Sequence, residues 1–345
     1  MWKAQFLAGI KTGKTILNFK NPIELLIIII LVLYSLVVIN GYFLDYFHFH
    51  LNVINITFVM AVEIILFILF FKIKLTSYRK SIIYCLIIFA IVFIYSLYFS
   101  PAFLPISYSV DAVHHYVLMD YLYNHESLPN LNNSYYMQEM VHYPYGPSLF
   151  TVYISKIFGI ELVETMQILV FAAAGLLAVL VYLIAKELLN EYNLPTGYEE
   201  ILSLASPFML FSVPTYFFGQ YLNDNFYYSM IFGELLVIGT LFTLLKIENK
   251  EKAWINFYFI LCFGIIFTYT LFLIINIYGL IAKYFAYKIF FLQVLLSSSF
   301  IAIPIAHIIK HMDNHDFKYK KIFSEITLFG SLLIIIFIST YTLAT

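Results

Sequence analysis

The sequence predicts an all-α, polytopic integral membrane protein of about nine transmembrane helices, with an outward loop that contains interfacial helices. Three observations carry this. Of 345 residues, 62% are apolar and only 11% are charged, whereas a soluble domain carries about 25% charged residues. Mean hydropathy is +0.89. Apolar runs of the ~20 residues that a helix needs to cross the hydrocarbon recur along the chain. The same composition excludes other classes. An aromatic content of 20% is incompatible with disorder. Nineteen basic against 20 acidic residues leave a net charge of -1, so no basic field points to nucleic acid as a partner. Cys85 and Cys262 both sit inside apolar runs, which fits neither a disulfide scaffold nor a paired-cysteine metal site.

Taken in order, residues 1–22 carry Lys3, Lys11, Lys14 and Lys20 and read as a basic amphipathic stretch on the inner membrane surface. The remainder, 23–345, reads as a single multi-spanning membrane domain. Apolar runs near 23–43, 51–71, 81–100, 163–185, 200–218, 226–245, 254–281, 286–309 and 322–343 are the predicted spans. Short loops rich in Lys and Arg stay cytoplasmic. The amino terminus and the loop with Lys72, Lys74, Arg79 and Lys80 are therefore expected inside, as in a multi-pass cell-membrane protein. Residues 44–50 and 101–155 hold no Lys or Arg and are expected outside. The run 254–281 reads either as one span or as a hairpin of two half-helices breaking near Thr268-Tyr269-Thr270, and the charge count favours the single span.

The outer loop 101–150 is the place to look for chemistry, because it is far longer than the ~4–6 residues usual between elements. Ser109 is a suitable N-cap for a helix over about 110–124. Val110, Val113, Val117, Leu118, Tyr121 and Leu122 form an apolar stripe on it, suited to the membrane interface. Asp111, His114 and His115 stand at i, i+3 and i+4 and project from one side. The bland reading makes Asp111 a first-turn acid that complements the helix dipole, with interfacial histidines beside it. The sharper one makes the three a reaction centre with a general base or a metal ligand. Further on, His142, Tyr143, Pro144, Tyr145, Gly146 and Pro147 form a rigid aromatic turn, followed by an amphipathic helix that carries Lys156. Asp224 lies in the next outward loop, GQYLNDN. Glu63 and Glu234 fall within spans, where an ionisable side chain is a functional candidate.

In this order the pieces resemble the GT-C superfamily, the membrane glycosyltransferases that use polyprenyl-phosphate or polyprenyl-diphosphate carriers, mannosyltransferases and arabinosyltransferases among them. The resemblance covers about 80–290 and rests on YSVDAVHHY, NHESLP, HYPYGPSLF, NDNFYYSM and FGIIFTYTLFLIINIYGLI. It implies that Asp111 is the catalytic carboxylate and that Asp224 helps bind a divalent metal, Mg or Mn, or the acceptor. Ala112 stands where many members have a second acid, and Tyr269 where many have a lysine.

The chemistry asks for a carboxylate that accepts the acceptor's proton and for charge that stabilises the leaving phosphate. With no Lys or Arg over 101–155, the second task falls to a metal, to His114, His115 or His142, or to Lys156. His114 and His115 are read as metal or acceptor contacts, and His142, Tyr143, Tyr145 and Lys156 as phosphate or substrate contacts. The expected function is sugar transfer from a polyprenyl-phosphate-linked donor to an acceptor on the outer face of the membrane. The alternatives are an ion- or proton-coupled transporter, for which Glu63 and Glu234 would matter most, and a non-catalytic membrane scaffold related to GT-C enzymes.

Overall fold

Helix ends are set by local chemistry before packing begins. Asn21 accepts a hydrogen bond from the Glu24 N–H at 2.9 Å, and Pro22 supplies the fixed φ of a first helical residue, which starts α1 at Pro22–Tyr46. Asn52 caps α2, Val53–Phe70, in the same way through the Asn55 N–H at 2.9 Å. The computed structural model describes residues 15–75, 79–99, 110–129, 145–190, 192–195, 197–212, 228–248 and 254–277, together with 305, 306, 309, 310, 325 and 328. The remaining elements are β1 Thr15–Phe19, β2 Phe71–Leu75, α3 Arg79–Phe99, α4 Val110–His125, α5 Gly146–Phe158, α6 Leu162–Leu189, α7 Tyr198–Ala205, α8 Tyr228–Glu248 and α9 Ile255–Ile277. Among the described residues five helices are long and apolar enough to cross a membrane: α1, α2, α3 over Lys80–Tyr98, α6, and α8 over Tyr228–Ile247. An all-α membrane protein is what these helices make.

The chain divides into two compact units. The first holds Met1–Ile83, Val113–Gln167 and Gly239–Ile277. Its centre is α1, on which α2, α5 and α9 pack. Small residues permit the close approach, as they do between membrane helices generally. Gly264 of α9 lies against Ser35 of α1, where a Cβ would collide with the serine side chain. A Cβ on Gly146, the first residue of α5, would stand 3.2 Å from both Thr268 Oγ1 and Val38 Cγ1. Tyr34 shares a 3.2 Å hydrogen bond with Thr268 and meets Phe150 edge-on at 5.1 Å. Helix α9 runs unbroken through Thr268-Tyr269-Thr270 to Ile277, so the run near 254–281 is helical across the point where a hairpin would break.

At one end of this unit β1 and β2 pair in parallel, from Thr15↔Phe71 to Phe19↔Leu75. The α1–α2 hairpin returns residue 71 to the end of α1 that residue 19 leads into, which brings the two strands together. In β1, Leu17 and Phe19 are buried while Ile16 and Asn18 are exposed, the two-residue period of a half-buried strand. Phe19 packs on Trp254 with ring centroids 5.0 Å apart. Thr15–Phe19 thus forms a strand within the stretch read as amphipathic, and residues 1–14 lie outside the described residues. Beside it, Lys246 at the end of α8 meets Glu24 at 3.5 Å, with side chains only 1% and 4% exposed.

The second unit holds Tyr84–Ala112, Ile168–Ile238 and Tyr278–Thr345. Gly175 on α6 sits under the Phe89 ring of α3, 2.7 Å from where a Cβ would be, and Phe93 meets Phe171 edge-on at 6.3 Å. Ala185, Leu189, Leu202, Ala306, Ile309 and Leu328 form a buried apolar cluster. In the run read as a span near 200–218, the described residues form an eight-residue α-helix, α7, followed by a 3-10 helix over Ser206–Ser212, and 213–218 lie outside the described residues. Pro207 explains the change, since it has no N–H to give the α-ladder and its ring crowds the preceding turn. Most of the runs near 286–309 and 322–343 lie outside the described residues.

Candidate functional site

Helix α4 spans Val110–His125, over the stretch expected to be helical, and includes Asp111; residues 101–109 lie outside the described residues. The Asp111 side chain lies outside the described residues, as do Asp224, His142 and Tyr143. The buried face of α4 carries Ala112, His115, Leu118, Met119 and Leu122, while Val117 is exposed. The expected stripe is thus rotated about the helix. Ala112 and His115 are weakly apolar by themselves, so hydrophobic spacing does not mark them for burial. His115 is 3% exposed and His114 half-buried, so both imidazoles are turned into protein rather than into bulk water.

The far end of α4 is clamped to the end of α1. Glu126 terminates the helix in the left-handed region, φ 53°, and its N–H donates to Leu122 O at 3.3 Å. Its carbonyl accepts from Leu51 N–H at 2.7 Å. Two residues on, the Leu128 N–H donates to Asp45 Oδ1 at 2.9 Å. The Tyr145 hydroxyl donates to Pro129 O at 3.4 Å. Burial, then the nearby Asp45 carboxylate, then Tyr121, push the Tyr145 hydroxyl up to about 12.

Lys156 belongs to this clamp as well. It projects from the last turn of α5, 3.3 Å from Glu126 Oε1 and 4.7 Å from the centre of the Tyr123 ring. Its stem borders a narrow apolar recess lined by Leu51, Ile56, Leu122, Leu149 and Val152. His114 and Glu126 are twelve residues apart in sequence, about 18 Å along a helix axis at 1.5 Å per residue. The structure therefore brings Tyr145 and Lys156 to one end of α4 and the two histidines toward the other. Lys156 is engaged by a carboxylate, and a phosphate could reach it only in competition with Glu126.

Asp45 was not singled out from the sequence, although it is the one acid in the first outward segment and directly ends an apolar run. Glu63 of α2 accepts a hydrogen bond from Asn40 of α1, Nδ2 to Oε2, at 2.9 Å. Glu234 is buried within α8. Among the described residues no group of three His, Cys, Asp or Glu side chains gathers to hold a metal ion. Comparison with family models, with curated proteins and with solved structures finds no match for this chain.

Proposed function

We propose that the chain transfers a sugar from a polyprenyl-phosphate or polyprenyl-diphosphate carrier to an acceptor on the outer face of the membrane, its amino terminus being cytoplasmic. The observation that carries this reading is that Asp111 lies within a helix, α4, in a segment that has no Lys or Arg over 101–155. In the proposed reaction the acceptor's oxygen or nitrogen attacks the anomeric carbon, and the carbon–oxygen bond to the phosphate breaks. The electron pair leaves with the phosphate, and the acceptor's proton passes to Asp111. His114 and His115, three and four residues further along α4, are assigned to contact the metal or the acceptor. Asp224, His142 and Tyr143 are assigned on the sequence alone.

The test is glycan transfer in membranes supplied with lipid-linked sugar. Asp111→Asn is expected to lower the rate by about 100-fold or more, the usual contribution of a positioned base. Transfer at the wild-type rate would remove Asp111 from the mechanism.

One observation favours a second reading, ion- or proton-coupled transport: the Asn40–Glu63 hydrogen bond within the spans α1 and α2. That reading expects proton flux into proteoliposomes to depend on Glu63, and flux unaltered by Glu63→Gln would end it.

A further inference from the structure

The β1–β2 pair is a surface that neither of the readings above uses. Parallel pairing puts residues directly opposite one another on the same face of the ribbon. The register therefore groups Leu17 and Phe19 with Ile73 and Leu75 on one face, and Ile16 and Asn18 with Lys72 and Lys74 on the other. The β1 half of the first face is packed: Leu17 and Phe19 are buried, and Phe19 packs on Trp254 and Phe257 at 5.0 and 6.2 Å, while Ile73 and Leu75 of β2 are 41% and 48% exposed. With β1 docked on that side, the second face must look away from the protein, and Ile16, Asn18, Lys72 and Lys74 are all exposed.

We propose that this outward face of β1–β2 docks on the anionic phospholipid headgroups of the leaflet it meets. Position, charge and apolar content each point to that occupant. Strand β2 begins at Phe71, directly after the last residue of the apolar helix α2, Phe70. Lys72 and Lys74 consequently lie about 7 and 13 Å along the strand from the helix end, at ~3.3 Å per residue, a distance of the order of the ~8 Å Debye length at physiological salt. Lys80 is exposed too, and the sequence has no Asp or Glu between Glu63 and Asp111, so no acid of that stretch neutralises these cations. Ile16 is 53% exposed beside Lys72 on this face. Cations beside an exposed aliphatic side chain match an interface that is part phosphate and part acyl chain. A nucleic acid or an acidic peptide would leave that aliphatic group in water. The proposal is independent of the glycosyl-transfer reading.

The experiment uses the full-length protein in detergent with defined lipids. Retention of phosphatidylglycerol relative to phosphatidylcholine is measured by native mass spectrometry at low and at high salt. The wild type is expected to retain phosphatidylglycerol preferentially, less so at high salt. Each lysine removed near a membrane surface is expected to weaken the preference about fivefold, so Lys72→Gln with Lys74→Gln lowers it roughly 30-fold. Lys72→Arg with Lys74→Arg retains it. Ile16→Glu, which adds an acid to the same face and leaves the buried face intact, lowers it. A preference untouched by the glutamine pair or by Ile16→Glu overturns the proposal. So does loss in the arginine pair as large as in the glutamine pair, or full competition by soluble glycerol phosphate, which would mean a site for free phosphate.

Discussion

Replacing Lys246 by Met tests whether the β1–β2 end of the first unit is held by a buried charge pair. The ammonium lies 3.5 Å from Glu24 Oε1, and the two side chains are 1% and 4% exposed. The Phe242 and Trp254 rings stand 5.2 and 5.7 Å from the same ammonium. At an effective dielectric of about 20 the attraction is worth about 5 kcal/mol, and desolvation of both ions offsets much of it. Removing one partner leaves the other charge buried without its counter-ion, which costs about 3–5 kcal/mol. Glu24 keeps the Lys20 N–H at 2.8 Å, so the lower end, about 3 kcal/mol, is expected. Glu24→Gln combined with Lys246→Met should recover most of the loss and lie within about 1 kcal/mol of wild type, because the pair as a whole contributes little net stability. Equilibrium unfolding in mixed micelles measures this, followed by tryptophan fluorescence, since Trp254 packs beside the pair and the chain has only one other tryptophan. A single Lys246→Met variant within about 0.5 kcal/mol of wild type would refute the reasoning, given the 3–5 kcal/mol range for a broken buried pair. A double variant as unstable as the single one would do the same.

Two further outcomes are expected. The Tyr145 hydroxyl, held up to about 12 by burial and then by Asp45, keeps its proton in the folded chain at a pH where an unfolded chain has released it near pH 10. Its contribution to stability is therefore fully present below pH 10 and is lost as pH rises to about 12. Tyr145→Phe should flatten that alkaline decline in unfolding midpoints taken from pH 9 to 12, and identical declines in both proteins would contradict the assignment. Gly264→Val forces α9 off Ser35 of α1 and is expected to cost about 1–3 kcal/mol in detergent unfolding, the range for overpacking. Gly159→Ala is the comparison: no atom would lie within 4 Å of its Cβ, so only the left-handed φ of 64° acts, about 1 kcal/mol. Equal effects at the two glycines would mean that the α1–α9 contact is not tight.

Much of the helical content was legible because a membrane span is a property of local composition. The expected runs near 23–43, 51–71, 81–100, 163–185 and 226–245 correspond to α1, α2, α3, α6 and α8, each with ends shifted by a few residues. The outer helix was legible for a similar reason, expected over 110–124 and found over Val110–His125. Its orientation about its own axis was not. Several faces of α4 carry apolar residues, and packing chose the one with Ala112 and His115, whose side chains carry little hydrophobic signal. Lys156 is one of the candidates for a phosphate contact because residues 101–155 hold no Lys or Arg. Its partner Glu126 is thirty residues away in sequence, a pairing that no local pattern encodes.

The sequence by itself therefore settled that this chain is a helical membrane protein, and where most of its long helices run. Those facts follow from the length of each apolar run and from the caps at its ends. Only the tertiary structure decided the contacts that close a unit. Glu24 and Lys246 are 222 residues apart, Tyr34 and Thr268 are 234 apart, and Asp45 and Leu128 are 83 apart. It also turned residues 15–19 into a strand, since an isolated five-residue segment has no ladder partner until the α1–α2 hairpin delivers Phe71–Leu75 beside it. Hydrophobic burial into lipid is non-directional and can be read residue by residue, whereas hydrogen bonds and ion pairs need a partner in place, and the fold alone supplies the partner.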